Sequence, residues 1–236
     1  MPDDPQTLSP DQRQTILDWL DSSDAGIVPT PGYQASIRIY KGPTGDFAIK
    51  EPSGWGLLRT LSLASIRREA DVYRRLKGIP GIPRCYGCLD DRYLVLEYIP
   101  GDTLDALDVG LTNRETFYAR LLETLRMMHD AGVAHGDLKR KRNILVGPAE
   151  QPFVIDFGIA VVADDRRGLL FDLARQVDRN AWIKHKYRGR TKDISAEDSA
   201  IYKPMRSERL MRMLRPAWQA ATLRRWRKKR RTARQT

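Results

Sequence analysis

The chain has 236 residues, a formal net charge of +11 at pH 7 and 41% hydrophobic residues. This length allows a sizeable core within a single folded unit. It contains no run of 18 apolar residues, which excludes a predicted membrane-spanning helix. The acidic, proline-containing start is unlike a signal peptide, so we expect a cytoplasmic protein.

A short helix is predicted first, within residues 1–26. Ser9-Pro10-Asp11-Gln12 is typical of a capping box, in which the serine and glutamine side chains cap the first turn. Apolar residues then follow at helical spacing, at Ile16, Leu17 and Leu20. We interpret residues 1–26 as an N-terminal helical extension.

The next predicted elements are a strand and a helix that each carry one conspicuous charge. Phe47-Ala48-Ile49-Lys50 alternates as a strand does, with Lys50 and Ala48 on one face. Residues 61–76 have helical spacing, and Glu69 lies on the same stripe as the apolar side chains Ile66 and Tyr73. A carboxylate in that position needs a partner.

Two further strands are predicted at residues 84–89 and 92–97, followed by the segment Glu97-Tyr98-Ile99-Pro100-Gly101. The two cysteines of the chain, Cys85 and Cys88, form a CxxC within the first of these strands. With no second pair a zinc site is not expected, and a strand is the wrong context for a thioredoxin-like motif. We expect buried, reduced thiols.

The most informative stretch is His135-Gly136-Asp137-Leu138-Lys139, followed by Asn143 and then Asp156-Phe157-Gly158. Residues 143–146 and 153–155 are short apolar runs separated by a turn at Gly147, and they predict two buried strands. Two carboxylates and an amide then lie close to the strand ends. That set suits a Mg²⁺ ion and a nucleotide phosphate.

These motifs, in this order, resemble the protein-kinase-like superfamily, with its VAIK, HRDxxxxN and DFG sequences. The resemblance implies an α+β, two-lobed fold: an antiparallel-sheet N-lobe over residues 27–99 and a reduced helical C-lobe over residues 100–205. It implies ATP and Mg²⁺ as cofactors, and an ion pair between Lys50 and Glu69. The implied site residues are Asp137, Lys139 and His135 for catalysis, Lys50, Glu69, Gly32, Ser36, Glu97 and Ile99 for ATP, and Asn143 and Asp156 for the metal.

The sequence departs from the protein-kinase pattern at several positions. The segment 31–36 has one glycine, Gly32, and a serine, Ser36, in place of GxGxxG. Gly136 replaces the arginine of HRD, and Asn143 follows Asp137 by six residues where the pattern has five. Only 78 residues follow Gly158, so we expect neither a regulated activation loop nor a peptide platform. In these respects the chain is similar to RIO-type kinases, small-molecule phosphotransferases and bacterial lipopolysaccharide-core sugar kinases.

Net charge is concentrated at the C-terminus. Residues 206–236 contain twelve Lys or Arg residues and one acid, whereas the remaining residues contain 29 of each sign. Cations interleaved with Trp218 and Trp226 suit an anionic membrane surface, and we expect this tail to place the protein on the inner membrane face. The same composition also suits nucleic acid, or a solvated tail with no partner.

A second basic cluster, Lys139-Arg140-Lys141-Arg142, lies inside the predicted catalytic loop. Positive charge at the mouth of an active site attracts anions, which predicts an anionic acceptor. We therefore expect an ATP-dependent phosphotransferase that acts on a sugar hydroxyl of a lipopolysaccharide-type glycolipid. The alternatives are a RIO-like serine/threonine protein kinase, and a nucleotide-binding pseudokinase or RNA-associated adaptor.

Overall fold

The first half of the chain, with its alternating and apolar sequence patterns, folds into one antiparallel sheet and two helices. The computed structural model describes residues 7–22, 27–28, 35–43, 45–52, 57–163 and 168–203. It divides the chain into two compact units, Met1–Ile194 and Ser195–Thr236. Gly32 and the tail 206–236 lie outside the described residues, and only the backbone of Ser36 is described.

The five-stranded sheet has the order β1-β2-β3-β5-β4, with each neighbouring pair antiparallel. Register places Lys50 of the third strand opposite Leu94 of the fifth. In chain order, the helices and strands of the first half of the chain are α1 (Pro10–Asp21), β1 (Ile27–Val28), β2 (Ala35–Gly42), β3 (Gly45–Pro52), α2 (Leu57–Arg75), β4 (Cys85–Leu89) and β5 (Tyr93–Glu97).

Helix α1 starts with the predicted capping box. Ser9 Oγ accepts a hydrogen bond from Gln12 N at 3.2 Å, and Gln12 Oε1 accepts one from Ser9 N at 2.9 Å. The buried side of the helix, which includes Ile16, packs with Phe47 and Ile49 of β3 in one hydrophobic cluster. Because side chains alternate along a strand, Ala48 and Lys50 face the opposite side of the sheet.

The rest of the first unit is mainly helical, with short strands around the predicted catalytic residues. In chain order it contains β6 (Asp102–Thr103), α3 (Leu104–Leu107), α4 (Arg114–Asp130), β7 (Val133–Ala134), β8 (Ile144–Val146), β9 (Pro152–Val154), β10 (Val161–Val162) and α5 (Leu169–Lys186). The strands form a three-stranded sheet, β6-β8-β9, and an antiparallel pair, β10-β7. In the second unit, the described residues include the short helix α6 (Ala196–Ser199), which Ser195 caps.

The predicted α+β class with an antiparallel sheet and a helical second half is therefore confirmed. The turn expected at Gly147 is a loop of residues 147–151 between β8 and β9, in which Ala149 and Glu150 have φ of +53° and +55°. Cys85 is buried and Cys88 partly buried, and both are free thiols. Among the helices of the described residues, none is long and apolar enough to cross a membrane. The boundaries at 26, 99 and 205 stay predictions.

Candidate active site

Strand β3, helix α2 and the loop after β9 bring three charged side chains together. Lys50 Nζ lies 2.7 Å from Glu69 Oε2 and 2.9 Å from Asp156 Oδ1. The sequence predicts the first of these ion pairs, and the structure contains it. Glu69 also accepts a hydrogen bond from Phe157 N through Oε1 at 3.2 Å, so both of its oxygens are used. The acid on the apolar stripe of α2 thus has its partners.

The electrostatics of this group favour a charged lysine. Burial alone would lower the pKa of Lys50, but the carboxylates of Glu69 and Asp156 reverse that effect and raise it well above its ordinary value. For Glu69 the pKa is raised, chiefly by burial, while Lys50 opposes the rise. The result is a fixed cation at the junction of strand and loop, which suits the neutralisation of phosphate oxygens.

The predicted catalytic loop is organised around His135. Asp137 N donates to His135 Nδ1 at 3.2 Å, and His135 Nε2 lies 2.9 Å from the carbonyl oxygen of Ile155. Since Nδ1 accepts, Nε2 must carry the proton and donate, which defines a neutral ring. His135 therefore joins the catalytic loop to the strand that leads into Asp156, as an orienting residue and not as a base.

Gly136 lies between His135 and Asp137 with a φ of +76°. That backbone conformation favours glycine, because a side chain there is strained. The resemblance places an arginine at this position, and the observed turn explains why this chain has a glycine. Asp137 itself is buried, with 5% of its surface exposed.

The six-residue step from Asp137 to Asn143 ends in a 3₁₀ turn over Lys141–Asn143. The turn returns Asn143 to the catalytic loop, where its Nδ2 donates to the carbonyl oxygen of Asp137 at 3.1 Å. Its own carbonyl oxygen accepts from Ile155 N at 3.0 Å. Asn143 is 1% exposed. The longer loop therefore does not remove Asn143 from the site.

Asp156 has a φ of +66°, in the left-handed region. Such a conformation costs of order 1 kcal/mol for a residue other than glycine, so it persists only where its surroundings hold it. Phe157 supplies part of that support, since its ring makes edge-to-face contact with Tyr73 at a centroid distance of 5.0 Å. The ring of His135 lies at the same centroid distance on another side.

A cavity of about 350 Å³ opens beside these groups, within the range of small-molecule sites. One end is polar and contains Lys50, Asn143 and Asp156, while the walls are mostly apolar. Glu97 and Ile99, which the sequence predicts to bind ATP, also line it. Its apolar lining residues include Ile37, Ala48, Leu96, Leu145 and Ile155. An apolar slot that ends in a lysine and a carboxylate suits a planar base with a phosphate chain.

A divalent cation fits the polar end. Asn143 and Asp156 both offer oxygen ligands, which Mg²⁺ prefers. Within the described ranges no group of three or more His, Cys, Asp or Glu side chains could hold a metal. Mg²⁺ at nucleotide sites is bound by one or two protein ligands together with phosphate oxygens, so a two-residue set agrees with a cation that arrives with its nucleotide.

The four cations of the catalytic loop have different surroundings. Lys139 is exposed, and the cation that lies against Asp137 is Arg140, whose Nε is 3.2 Å from Asp137 Oδ2. Lys141 pairs with Asp108 at 2.9 Å, and Arg142 lines the cavity. Lys139 stays a predicted catalytic residue, and the cation described in contact with the Asp137 carboxylate is Arg140, one residue further along the loop.

Sequence reasoning overlooked Asp178 of helix α5. Its Oδ1 accepts from Gly136 N at 2.8 Å, and its Oδ2 accepts from His135 N at 2.7 Å and lies 3.1 Å from His129 Nε2. This carboxylate has no exposed surface. Asp178 follows the buried Phe171 by two helical turns. An acidic residue on the apolar stripe of a helix, as at Glu69, is the sequence pattern that could have revealed it.

His185 is a second residue that the sequence did not reveal. Its Nε2 lies 2.7 Å from the carbonyl oxygen of Leu138, the residue after the predicted catalytic aspartate. Burial lowers the pKa of His185, with a further contribution from Lys141. Helix α5 therefore holds the catalytic loop at two points, Asp178 before Asp137 and His185 after it.

Comparison with known proteins agrees with this geometry. The sequence pattern described as "Protein kinase domain" matches residues 46–180, more than half of the chain. An Aurora kinase of Encephalitozoon cuniculi is 33% identical over 45% of this chain and 42% of its own length. The serine/threonine-protein kinase cds1 of Schizosaccharomyces pombe is 33% identical over 41% of this chain and 22% of its own.

Another relative is also a serine/threonine-protein kinase. The serine/threonine-protein kinase D of Synechocystis is 35% identical over 33% of this chain and 16% of its own length. The chain thus spans less than half the length of each of these three relatives. The family match over residues 46–180 includes Lys50, Asp137 and Asp156.

Proposed function

This chain belongs to the protein kinase domain family, and we propose that it transfers the γ-phosphoryl group of ATP to an alcohol group. The observation that supports this most directly is the joint contact of Lys50 with Glu69 and Asp156 at the polar end of the cavity. Such a group provides a fixed cation for phosphate and a carboxylate for a metal in the same place.

Each residue then has a role in the proposed reaction. Lys50 binds phosphate oxygens and Glu69 keeps it in position, while Asn143 and Asp156 would hold Mg²⁺, which neutralises charge on the phosphates. Asp137 orients the acceptor hydroxyl and accepts its proton. The acceptor oxygen bonds to the γ-phosphorus, the bond from that phosphorus to the β–γ bridging oxygen breaks, and ADP leaves with the electron pair.

Our first candidate for the acceptor is a sugar hydroxyl of a lipopolysaccharide-type glycolipid. Helix α5 begins at Leu169, with only ten residues between it and Gly158, which leaves little chain for a surface that docks a peptide. Lys139 is exposed beside the catalytic loop, and Arg140 lies against Asp137, so the mouth of the site is cationic. Both features favour a compact, anionic acceptor.

Two of the loop cations contribute less to this argument than the sequence indicated. Lys141 pairs with Asp108, and Arg140 is partly neutralised by Asp137. The local excess of positive charge is therefore smaller than four. The basic tail supplies the remaining support, since it would bring the enzyme to an anionic membrane where such a glycolipid resides.

The second candidate is a serine or threonine hydroxyl of a protein, as in a RIO-like protein kinase. The named relatives favour it, because two of those described above are serine/threonine-protein kinases. A third, non-enzymatic alternative is a nucleotide-binding pseudokinase or an RNA-associated adaptor. Lys50 and Asp156 are in contact at the cavity, and the backbone of Asp137 is hydrogen-bonded to Asn143, which lines it; this set argues against loss of catalysis.

A labelling experiment separates these candidates. The protein is incubated with γ-³²P-ATP and Mg²⁺ together with solubilised lipopolysaccharide, deacylated core oligosaccharide, casein or no acceptor, and D137N is the control for contaminating kinases. Label on the oligosaccharide supports the glycolipid acceptor. Label on casein or on the enzyme itself, at phosphoserine or phosphothreonine, supports the protein kinase. ATP binding with no transfer in any mixture would contradict both and favour the pseudokinase.

A further inference from the structure

Helix α2 contacts the loop after β9 through two neighbouring residues of opposite charge. Glu69 accepts from Phe157 N, as described above. Arg68 reaches the same loop from the adjacent position, and its guanidinium donates to two backbone carbonyls. Nη1 lies 3.3 Å from the oxygen of Gly158, and Nη2 donates to the oxygen of Ala160. Two adjacent side chains therefore hold one short segment of backbone.

The ends of that segment are already fixed by strand pairing. Ile155 N donates to Asn143 in the region of β8 and β9, and Val161 of β10 pairs with Ala134 of β7. Between these two ends lie Asp156, whose φ is in the left-handed region, and a tight turn. In that turn Ala160 N donates to the carbonyl oxygen of Phe157 at 3.0 Å. The Arg68 side chain bridges the two carbonyls of this turn. A rigid guanidinium fork that bonds two acceptors fixes their separation.

The segment offers no hydroxyl through which it could be ordered by phosphorylation. Residues 157–168 include neither serine, threonine nor tyrosine. Gly136 occupies the place where the resemblance would put an arginine able to contact a phosphorylated loop. Arg68 of α2 bonds to backbone carbonyls of this segment. Its contact therefore does not depend on phosphorylation of the segment.

We propose that Arg68 is a positioning residue that holds Asp156 in its metal-binding conformation, so that the site is assembled without covalent activation. This rests on the proposed function, in which Asp156 binds Mg²⁺. Arg68 is half-buried, and burial lowers its pKa while Glu69 opposes the fall. An arginine guanidinium remains charged in proteins. Its bonds to carbonyls are charge-assisted and stronger than neutral ones.

The matched control is Arg67, the preceding residue of the same helix. Its Nη2 pairs with the exposed Asp91 at 3.2 Å, and its Nε donates to the Asp91 oxygen at 3.1 Å. R67A removes an arginine and an ion pair from α2 without touching the loop after β9. R68K retains the charge but lacks the two-pronged geometry, and R68A removes both.

The first measurement uses no nucleotide and no metal. Amide hydrogen exchange of residues 157–163 is compared among wild type, R67A, R68A and R68K, with exchange in helix α4 as the internal reference. We expect about tenfold faster exchange in R68A, an intermediate rate in R68K and no change in R67A. Equal rates in R68A and wild type would overturn the proposal.

The second measurement titrates Mg²⁺ at saturating ATP and follows the shift in Tm. R68A should need about ten times more Mg²⁺ for half of the shift, with partial recovery in R68K, while ATP in EDTA stabilises all variants alike. A uniform loss of stability with the same Mg²⁺ dependence would show a merely structural role and overturn the proposal. If the wild type itself shows no response to Mg²⁺-ATP, the proposed function fails, and the exchange experiment still decides whether Arg68 holds the loop.

Discussion

Lys50 Nζ contacts Asp156 Oδ1 at 2.9 Å, although 106 residues of chain separate them. The contact connects the five-stranded sheet to the loop that follows β9, and residues of both parts line the cavity. Because Lys50 also pairs with Glu69 of helix α2, strand, helix and loop meet at a single ammonium group. The proposed phosphate-binding cation and the proposed metal-binding carboxylate are therefore in mutual contact.

This relationship predicts different consequences for loss of the carboxylate and loss of the amine. D156A should abolish the part of the ATP-induced Tm shift that depends on Mg²⁺ and leave the shift in EDTA intact. K50M should weaken ATP binding about tenfold or more with and without the metal, because phosphate neutralisation is lost. K192M, at an exposed lysine, is the matched control. An unchanged response in both site variants would contradict the assignment.

We expect D137N to bind Mg²⁺-ATP as the wild type does and to lose phosphoryl transfer by a factor of 10² or more. In the proposed reaction its carboxylate acts on the acceptor hydroxyl, and Asp137 is not among the residues that line the cavity. The measurements are the ATP-induced Tm shift and the rate of ADP formation with the correct acceptor. Full turnover in D137N would make Asp137 a structural residue.

Asp178 should be critical for the stability of the catalytic loop. D178A leaves the buried N–H groups of His135 and Gly136 without their acceptor and should reduce the free energy of unfolding by about 3 kcal/mol. D178N retains an acceptor oxygen and should cost less. Urea unfolding measures both. As a control, D172A removes an acid from the same helix whose side chain is half exposed and pairs with Arg175, and it should change stability by less than about 0.5 kcal/mol.

The reactivity of the Cys88 thiol at a fixed pH tests whether this side chain is buried. Burial raises its pKa from 9.0 to about 11, with Cys85 and Asp91 adding to the rise. At pH 8 the thiolate fraction is then about a hundredfold smaller than for an ordinary thiol, so iodoacetamide should react slowly with the folded C85S variant. Because the folded-state pKa lies above the unfolded one, this group stabilises the fold below pH 9, and that contribution is lost as the pH rises through 11. Rapid alkylation of native C85S at pH 8 would contradict the burial.

The tail prediction depends on sequence alone. Deletion of residues 224–236 removes eight basic residues and no acid. We expect binding to phosphatidylglycerol vesicles to collapse, while stabilisation by Mg²⁺-ATP persists. Binding of the full chain should weaken with salt, since exposed charges are screened within about 8 Å at physiological ionic strength.

The lipid composition and a competing ligand supply the controls for this prediction. Phosphatidylcholine vesicles should not bind, and Trp226 fluorescence should shift to the blue only on the anionic ones. If the full chain ignores anionic vesicles and instead binds single-stranded RNA with a steep salt dependence, the membrane proposal is wrong. The adaptor or RIO-like interpretation would then replace it.

The sequence by itself was sufficient for the order of the elements and for the charged and amide side chains Lys50, Asn143 and Asp156 that line the cavity. Alternation placed Lys50 opposite the buried face of β3, and an acid on an apolar stripe marked Glu69 as paired, because both patterns follow from local backbone geometry. The motifs at Asp137 and Asp156 were visible for a similar reason. Each motif joins side chains a few residues apart, where the chain itself fixes their separation.

Only the tertiary structure decided which distant residues support the site. The spacing from Asp137 to Asn143 could not show that a 3₁₀ turn spans Lys141–Asn143 or that Arg140 lies against the Asp137 carboxylate. Asp178 and Arg68 act on backbone groups that lie 42 or more residues away in the chain. Such contacts depend on how helices pack against loops, and many sequences with the same periodicity would pack them differently.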